Sequence, residues 1–500
     1  MKRQFVKNLS SNWVVYATSA IISLALTPYI IAKLGIAAYG VWILVGSFSG
    51  YLGLFDFGIG YAVVRFVARY QKTGEINKRN EIIATSFYLA AGLSIIVIAA
   101  TAFIMYNAVG LFDMPEHLIG EARLVILLIG ISIAFAFPMG IFSEALAGGL
   151  WRYDLFNKVS LAVALVQTAL TITFLELGWG LPGLGASVLI CSSAGYLWRT
   201  RMLYRLLPDL SIAWSLVKFK VLRKIGDYTT FSFLLVLSGR IAFYSDSFIV
   251  GIYRGLEDVA VFGIAVKLTE YLRQLIFTLT KLFSPVAARY DPDKDKASLR
   301  VVFYKGSRLN LLFSIPLSVA LYFWGGILID IWIGDSFSYS KTILQVLLLG
   351  HIVSFTQSIG GEILLGVGRH RVFAILSIVA AAVNIALSVI LIQTIGLIGV
   401  AWGTTIPLAV LSLGYLPYAT LKMLNGKFLS YMKKALFPAV LATILPSAIV
   451  IISSYYIESL MQLLAVGLLT LGVYIVTGFA WGLESEEKNK IWSEISRIFK

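Results

Sequence analysis

Apolar runs of transmembrane length recur along the whole chain, separated by short polar segments. They cover residues 9–31, 38–64, 82–107, 123–149, 157–177, 181–203, 226–252, 258–283, 303–329, 341–366, 372–394, 398–421, 435–457 and 460–482. Each is close to the ~20 residues a helix needs to cross ~30 Å of hydrocarbon. The pattern predicts an all-α polytopic membrane protein with about fourteen transmembrane helices. The first run is long enough to span and is followed by no small-residue cleavage site, so it is expected to be a helix of the protein and not a secretory signal.

Two of these runs carry polar stripes. In 226–252, Arg240, Tyr244, Ser247 and Gly251 share one helical face, with Asp246 pointing elsewhere. In 258–283, Lys267, Glu270, Gln274, Thr278 and Lys281 fall within about 80° of arc, with Arg273 roughly 60° further round. A charge at the bilayer centre costs about 2.5–3.5 kcal/mol on insertion scales. The stripes are therefore expected to line a positively charged cavity between two helical bundles, suited to an anionic substrate. The competing reading pairs Glu270 with Lys267 or Arg273 one turn away, with Lys281 snorkelling to the cytoplasmic interface.

Composition narrows the class. At 59% hydrophobic and 13% charged residues, with mean hydropathy +0.85, the sequence lies outside soluble globular proteins. Lys and Arg number 41 against 26 Asp and Glu, a net charge of +15. Those cations are spread over many short segments, which fits membrane topology and not nucleic-acid binding. With fourteen spans, Lys2, Arg3, Lys7, Arg65, Arg69, Lys72, Lys78, Arg79, Arg152, Lys158, the segments Arg199 to Lys224 and Arg289 to Arg308, Arg369, Arg371, Lys422, Lys427, Lys433 and Lys434 all fall on one side. The other side receives only Lys33, Arg123, Arg254 and Lys341, at span ends. A multi-pass protein of the inner (cytoplasmic) membrane with both termini in the cytoplasm is expected.

Little points to catalysis. Cys191 is the single cysteine; His117, His351 and His370 stand far apart; and no P-loop, HExxH or GxSxG occurs. No enzyme, catalytic residue, metal site or cofactor is expected. Asp291, Asp293 and Asp295 lack the glycine and distal glutamate of a calcium loop and read as a solvated turn.

The chain also repeats itself. Glu144-Ala145-Leu146-Ala147-Gly148 matches Glu362-Ile363-Leu364-Leu365-Gly366, Ala68-Arg69-Tyr70 matches Ala288-Arg289-Tyr290, and Gly180-Leu181-Pro182-Gly183 matches Gly396-Leu397-Ile398-Gly399. The offset is about 216–223 residues, and the six intervening spans make this a parallel transporter repeat. The organisation read from it is a first lobe at 1–205, an interfacial linker at 206–225, a second lobe at 226–421, two trailing helices at 422–483 and an amphipathic tail at 484–500. Residues 209–224 and 484–500 mix cations with Trp214, Phe219, Trp492, Ile495 and Phe499, as interfacial segments do.

The intramembrane carboxylates Asp56, Glu144 and Glu362 have two readings. They carry a coupling H+ or Na+, with Arg65 and Asp246 in gating, or they are structural. In the structural reading Glu144 pairs with Arg152, Glu362 with Arg369, and Asp56 caps a helix break or pairs with Arg65.

Leu34-Gly35, Tyr39-Gly40-Val41-Trp42 and Phe55-Asp56-Phe57-Gly58-Ile59-Gly60 running into Arg65 resemble the opening of the bacterial oligosaccharide (O-antigen repeat-unit) flippases. These form the polysaccharide-transporter branch of the multidrug/oligosaccharidyl-lipid/polysaccharide exporter superfamily. The resemblance implies two six-helix lobes plus two trailing helices. It also implies translocation of a polyprenyl (undecaprenyl)-diphosphate-linked glycan to the outer leaflet by alternating access. Arg240, Lys267 and Arg273 would engage the diphosphate or acidic sugars; the partners would be that lipid-linked glycan, membrane lipids and other polysaccharide-assembly membrane proteins. A cation-coupled multidrug antiporter of the same superfamily is the alternative. A membrane polymerase or glycosyltransferase fits less well, since the external loops are short.

Overall fold

The computed structural model describes residues 2–485 and 487–489, without the side chains of 2–6, 9, 108–109, 224 and 226–236. Trp492, Ile495 and Phe499 of the expected tail helix lie outside the described residues. In chain order the helices are α1 (Lys2–Leu34), α2 (Ile36–Leu52), α3 (Ile59–Thr73), α4 (Ile76–Leu111), α5 (Glu116–Glu144), α6 (Tyr153–Glu176), α7 (Gly180–Leu206), α8 (Phe219–Arg254) and α9 (Leu256–Thr280). There follow α10 (Phe283–Ala287), α11 (Lys296–Ile333), α12 (Tyr339–Gly366), α13 (Arg371–Ile395), α14 (Leu397–Val410), α15 (Leu416–Met423), α16 (Phe428–Tyr431), α17 (Phe437–Ser453) and α18 (Leu460–Thr477). Among the described residues, 12 helical segments are long and apolar enough to cross a membrane. The charge-striped α8 and α9, of 36 and 25 residues, complete the expected set of about fourteen.

Two details differ from the sequence pattern. The run 38–64 is not one helix: a 3-10 turn at Gly53–Asp56 ends α2, and Phe57 and Gly58 adopt left-handed φ of 48° and 75° before α3 begins. Arg199 and Arg308, counted above with cytoplasmic segments, lie inside α7 and α11 and are buried. Helices that outrun the hydrocarbon carry their first charges inward against neighbours, so the end of an apolar run is not the end of its helix.

By Cα proximity the chain forms two compact units, Met1–Ala260 and Val261–Lys500. In the first, α3, α4, α5 and α7 close around Ile59, Phe66, Ile83, Phe142 and Leu146. α8 lies along α2 in this unit, because glycines let the two approach. A Cβ on Gly50 would sit 2.1 Å from the Tyr244 ring of α8, and one on Gly40 would sit 2.0 Å from the Leu256 carbonyl oxygen where α9 begins. Phe48 packs edge-on against both Phe112 and Phe248 beside this contact, and those two rings tilt on each other. In the second unit, α11, α12, α16 and α17 surround Phe303, Leu311, Ile363 and Tyr431.

The repeat read from sequence reappears as matching local devices, each inside its own unit. Gly148 packs on Val64 of α3, and its counterpart Gly366 packs on Ser284 of α10. Gly180 and Gly396 both open a helix with positive φ, 57° and 72°. Arg79 of α4 donates to Asp209 Oδ1 at 2.8 Å, just beyond α7; Arg300 of α11 donates to the Asn425 carbonyl at 3.2 Å, just beyond α15. In both copies of the sequence repeat an arginine of the third span (α4, α11) clasps the segment that follows the sixth.

Candidate functional site: two membrane-embedded charge clusters

In the first unit the break between α2 and α3 turns Asp56 out of the helical hydrogen-bond ladder. Its carboxylate lies against the Gly58 backbone and in electrostatic reach of Arg240 from α8. Arg240 donates from Nη1 to the Gly50 carbonyl at 2.9 Å, over Gly53. Beside it, the Tyr244 ring fills the space Gly50 leaves and tilts on Tyr51. Asp246 is buried and within reach of Tyr51, whose hydroxyl bonds Ser245. The stripe of α8 thus faces protein, as the cost of exposing a guanidinium to hydrocarbon demands.

Glu144 ends the regular part of α5, immediately before a π-helical turn, Ala145–Gly149. Such turns re-aim side chains and recur at functional sites. It stands in electrostatic reach of Asp56 and of Arg199. Gly60 makes room for it: a Cβ there would stand 3.2 Å from Glu144 Cγ. The Glu144 side chain is nevertheless exposed. Arg199 is buried under the Phe156 ring, 4.2 Å from its centroid, and donates from Nη2 to Ser160 Oγ at 2.8 Å. Its Nε is buried with no hydrogen-bond partner.

The second unit holds a different set. On α9, Arg273 grips Glu270 through Nε and Nη2 at 2.5 and 2.6 Å, and Gln274 adds a third bond to the same carboxylate at 2.8 Å. This selects Arg273 as the ion-pair partner of Glu270 one turn away. Lys267 lies one turn earlier on the same helix and is partly buried. His351 of α12 anchors Nδ1 at the Leu347 carbonyl, 3.1 Å away, within electrostatic reach of Arg273 and Glu270. Where α9 ends, exposed Lys281 faces Glu362 of α12.

Two expected pairings are corrected. Arg152 does not hold Glu144: it bonds Asp154 at 3.0 Å, a buried carboxylate also reached by Lys7 of α1 at 2.9 Å. Arg369 does not hold Glu362: it bonds Asp293 of the acidic turn at 2.6 Å. In both cases a carboxylate closer in sequence or space meets the arginine first and leaves the helix glutamate for other neighbours. Arg65 lies over the Phe66 ring, 5.7 Å from its centroid. Sequence reasoning missed Arg199 and His351 as partners of these groups, and Arg308 as a buried cation that pairs with Glu484 and Glu487. The available signal was that Arg199 and Arg308 fall inside the limits of runs 181–203 and 303–329. Among the described residues no group of His, Cys, Asp and Glu is arranged to hold a metal.

Comparison with known proteins places this arrangement. A family model described as "Polysaccharide biosynthesis protein" matches residues 5–290, and one described as "MatE" matches residues 230–390. The uncharacterized membrane protein EpsK of Bacillus subtilis (strain 168) is 24% identical, over 98% of this chain and 97% of its own. A Shigella flexneri protein described as a candidate O-antigen transporter is 22% identical, over 82% of this chain and 97% of its own. In fold the chain is similar to the lipid II flippase MurJ in an inward closed conformation, with TM-score 0.69 and 17% identity over 93% of this chain and 97% of that one. With more than half of its length matched by one model, the chain belongs to the polysaccharide biosynthesis protein family and is a multi-pass membrane transporter, not an enzyme, of the multidrug/oligosaccharidyl-lipid/polysaccharide exporter superfamily.

Proposed function

We propose that the protein is a flippase that moves polyprenyl-diphosphate-linked oligosaccharide repeat units from the cytoplasmic to the outer leaflet of the inner membrane by alternating access, for cell-surface polysaccharide assembly. The observation that carries the reading is Arg240. Its guanidinium is held on a bilayer-length helix through one nitrogen, Nη1, on the Gly50 carbonyl. The remaining N–H groups have no hydrogen-bond partner among the described residues, and a planar fork of donors matches phosphate oxygens. On α9, Lys267 and Arg273 offer an anion charge-assisted donors of their own, with Glu270 fixing the Arg273 rotamer, and Lys281 receives the headgroup at the cytoplasmic end. Tyr244 offers a ring face and a hydroxyl to a sugar.

Asp56, Glu144 and Glu362 are the groups we assign to a coupling H+ or Na+, with Arg65 and Asp246 in gating. They also favour a second reading. The adjacent carboxylates Asp56 and Glu144, together with the MatE match, suit a cation-coupled antiporter of small molecules.

Export of the lipid-linked glycan separates the two. Arg240→Ala and Arg273→Ala are expected to lower export about a hundredfold, the loss of two charge-assisted hydrogen bonds, with membrane insertion unchanged; Arg240→Lys retains part of it. Cells lacking the protein should hold the repeat unit in the inner leaflet, inaccessible to external probes. Full export by both Arg→Ala variants overturns the assignment, and loss of drug efflux alone favours the antiporter.

A further inference from the structure

The segment between α7 and α8 is not a slack tether. Asp209 is fixed to Arg79, and the Asp209 carbonyl accepts from Asn80 Nδ2 at 2.7 Å. Thr85 Oγ1 donates to the Leu216 carbonyl and accepts from the Lys218 N–H at 3.2 Å. Trp214 packs edge-on against Tyr88, with ring centroids 4.6 Å apart. The contacts climb α4 from Arg79 to Tyr88, about 13 Å along its axis. The strap therefore rises from the basic end of the bundle, the end that the charge distribution assigns to the cytoplasm, to the depth of the headgroups and the first carbons of the acyl chains.

What the strap displays is equally specific. Trp214 is 69% exposed and Phe219 is 82% exposed, in a stretch that also exposes Lys218, Lys220 and Arg223. After Asp209 no acidic residue occurs before Asp227. Bulky aromatics this exposed are unfavourable in water, and Trp is at home in the interfacial belt. Cations beside them meet the negative surface of the cytoplasmic leaflet. The second unit repeats the device independently: beyond α15, clasped by Arg300, the chain exposes Phe428 and Leu429 among exposed Lys427, Lys433 and Lys434.

We propose that residues 209–223 form a rigid docking platform for anionic lipid headgroups of the cytoplasmic leaflet, with Trp214 and Phe219 as interfacial anchors and Lys218, Lys220 and Arg223 as the headgroup contacts. The partner is a lipid phosphate surface, and the segment after α15 is its counterpart in the other unit. The platform is separate from the residues assigned to the transported anion, so it holds or fails independently of the flippase reading.

The sole cysteine allows a clean test. In a Cys191→Ala background, Ser215→Cys on the exposed turn is labelled with an environment-sensitive fluorophore, and the full-length protein is placed in nanodiscs carrying a headgroup-level nitroxide quencher. Quenching is expected to be stronger in phosphatidylglycerol than in phosphatidylcholine. It should fall to the phosphatidylcholine level in the Lys218→Gln/Lys220→Gln/Arg223→Gln variant or at about 0.5 M salt, where surface charges are screened. Trp214→Ser/Phe219→Ser should reduce quenching in both lipids. Equal quenching in the two lipids, or a triple variant indistinguishable from its parent, overturns the proposal.

Discussion

Glu144 and Glu362 occupy matching places in the repeat, yet the first faces chiefly another carboxylate, Asp56, and the second the Lys281 ammonium. The scaffold around them is shared. In each unit the helix after the first turn of the repeat breaks, at 53–58 before α3 and at 281–282 before α10. In each, a glycine four residues after the glutamate packs on the segment beyond the break. The backbone device has been kept while the charges on it have diverged. Packing constrains the glycines through hard contacts; the charges are constrained only by what they must bind or carry. The comparison therefore separates what holds each lobe together from what each lobe does.

The clasps show the largest difference. Arg79 is buried and grips Asp209, Asn80 and Gln71, whereas Arg300 is only half-buried and reaches one backbone carbonyl. Asp209→Ala leaves a buried guanidinium without its counter-charge and is expected to destabilise the protein by about 3 kcal/mol. Arg300→Ala is expected to cost under about 1 kcal/mol. Thermal unfolding in detergent, followed by fluorescence, checks both. Equal losses would mean that the two clasps are energetically alike despite their burial.

The glycine pair comes next. A Cβ on Gly366 would meet the Ser284 carbonyl oxygen at 2.3 Å, and backbone cannot step aside. On Gly148 it would meet the two Val64 methyls at 2.6 Å, which a small helix shift relieves. Gly366→Ala is expected to cost about 2–3 kcal/mol and Gly148→Ala about 1 kcal/mol. The same melts read the difference, and a larger loss at Gly148 would invert the ranking of the two contacts.

The spans and the repeat were legible because a bilayer imposes length and apolarity on every segment, and because glycines at close contacts recur at fixed offset. The break at Phe57 was not. Phe55, Phe57 and Ile59 are as apolar as their surroundings, and hydropathy carries no information about a left-handed φ. Nor could charge partners be read from proximity in sequence. Arg152 was expected to take Glu144, eight residues before it, but Asp154, two residues after it, lies closer and is shared with Lys7 from α1. Arg199 was legible as a charge and illegible as a site, since only packing shows it under Phe156 beside Glu144.

The smallest predicted effects are the most diagnostic, because they isolate the charges. Glu144→Gln removes a carboxylate that is partly withdrawn from water and repelled by Asp56, with Arg199 attracting it, so burial cost and repulsion are both relieved. Glu362→Gln also relieves a burial cost, but it gives up the attraction of Lys281. Both side chains reach solvent, which keeps each effect to about 0.5 kcal/mol, a shift of about 1 °C in a chain of this length. Glu144→Gln should raise the melting temperature more than Glu362→Gln does. The gap between them should shrink as salt rises, because accessible charges are screened within about 10 Å at 0.1 M ionic strength. If the two variants shift equally at low salt, the glutamates are held by their helices and not by the charges near them. The contrast between the two lobes would then be one of composition without energetic consequence.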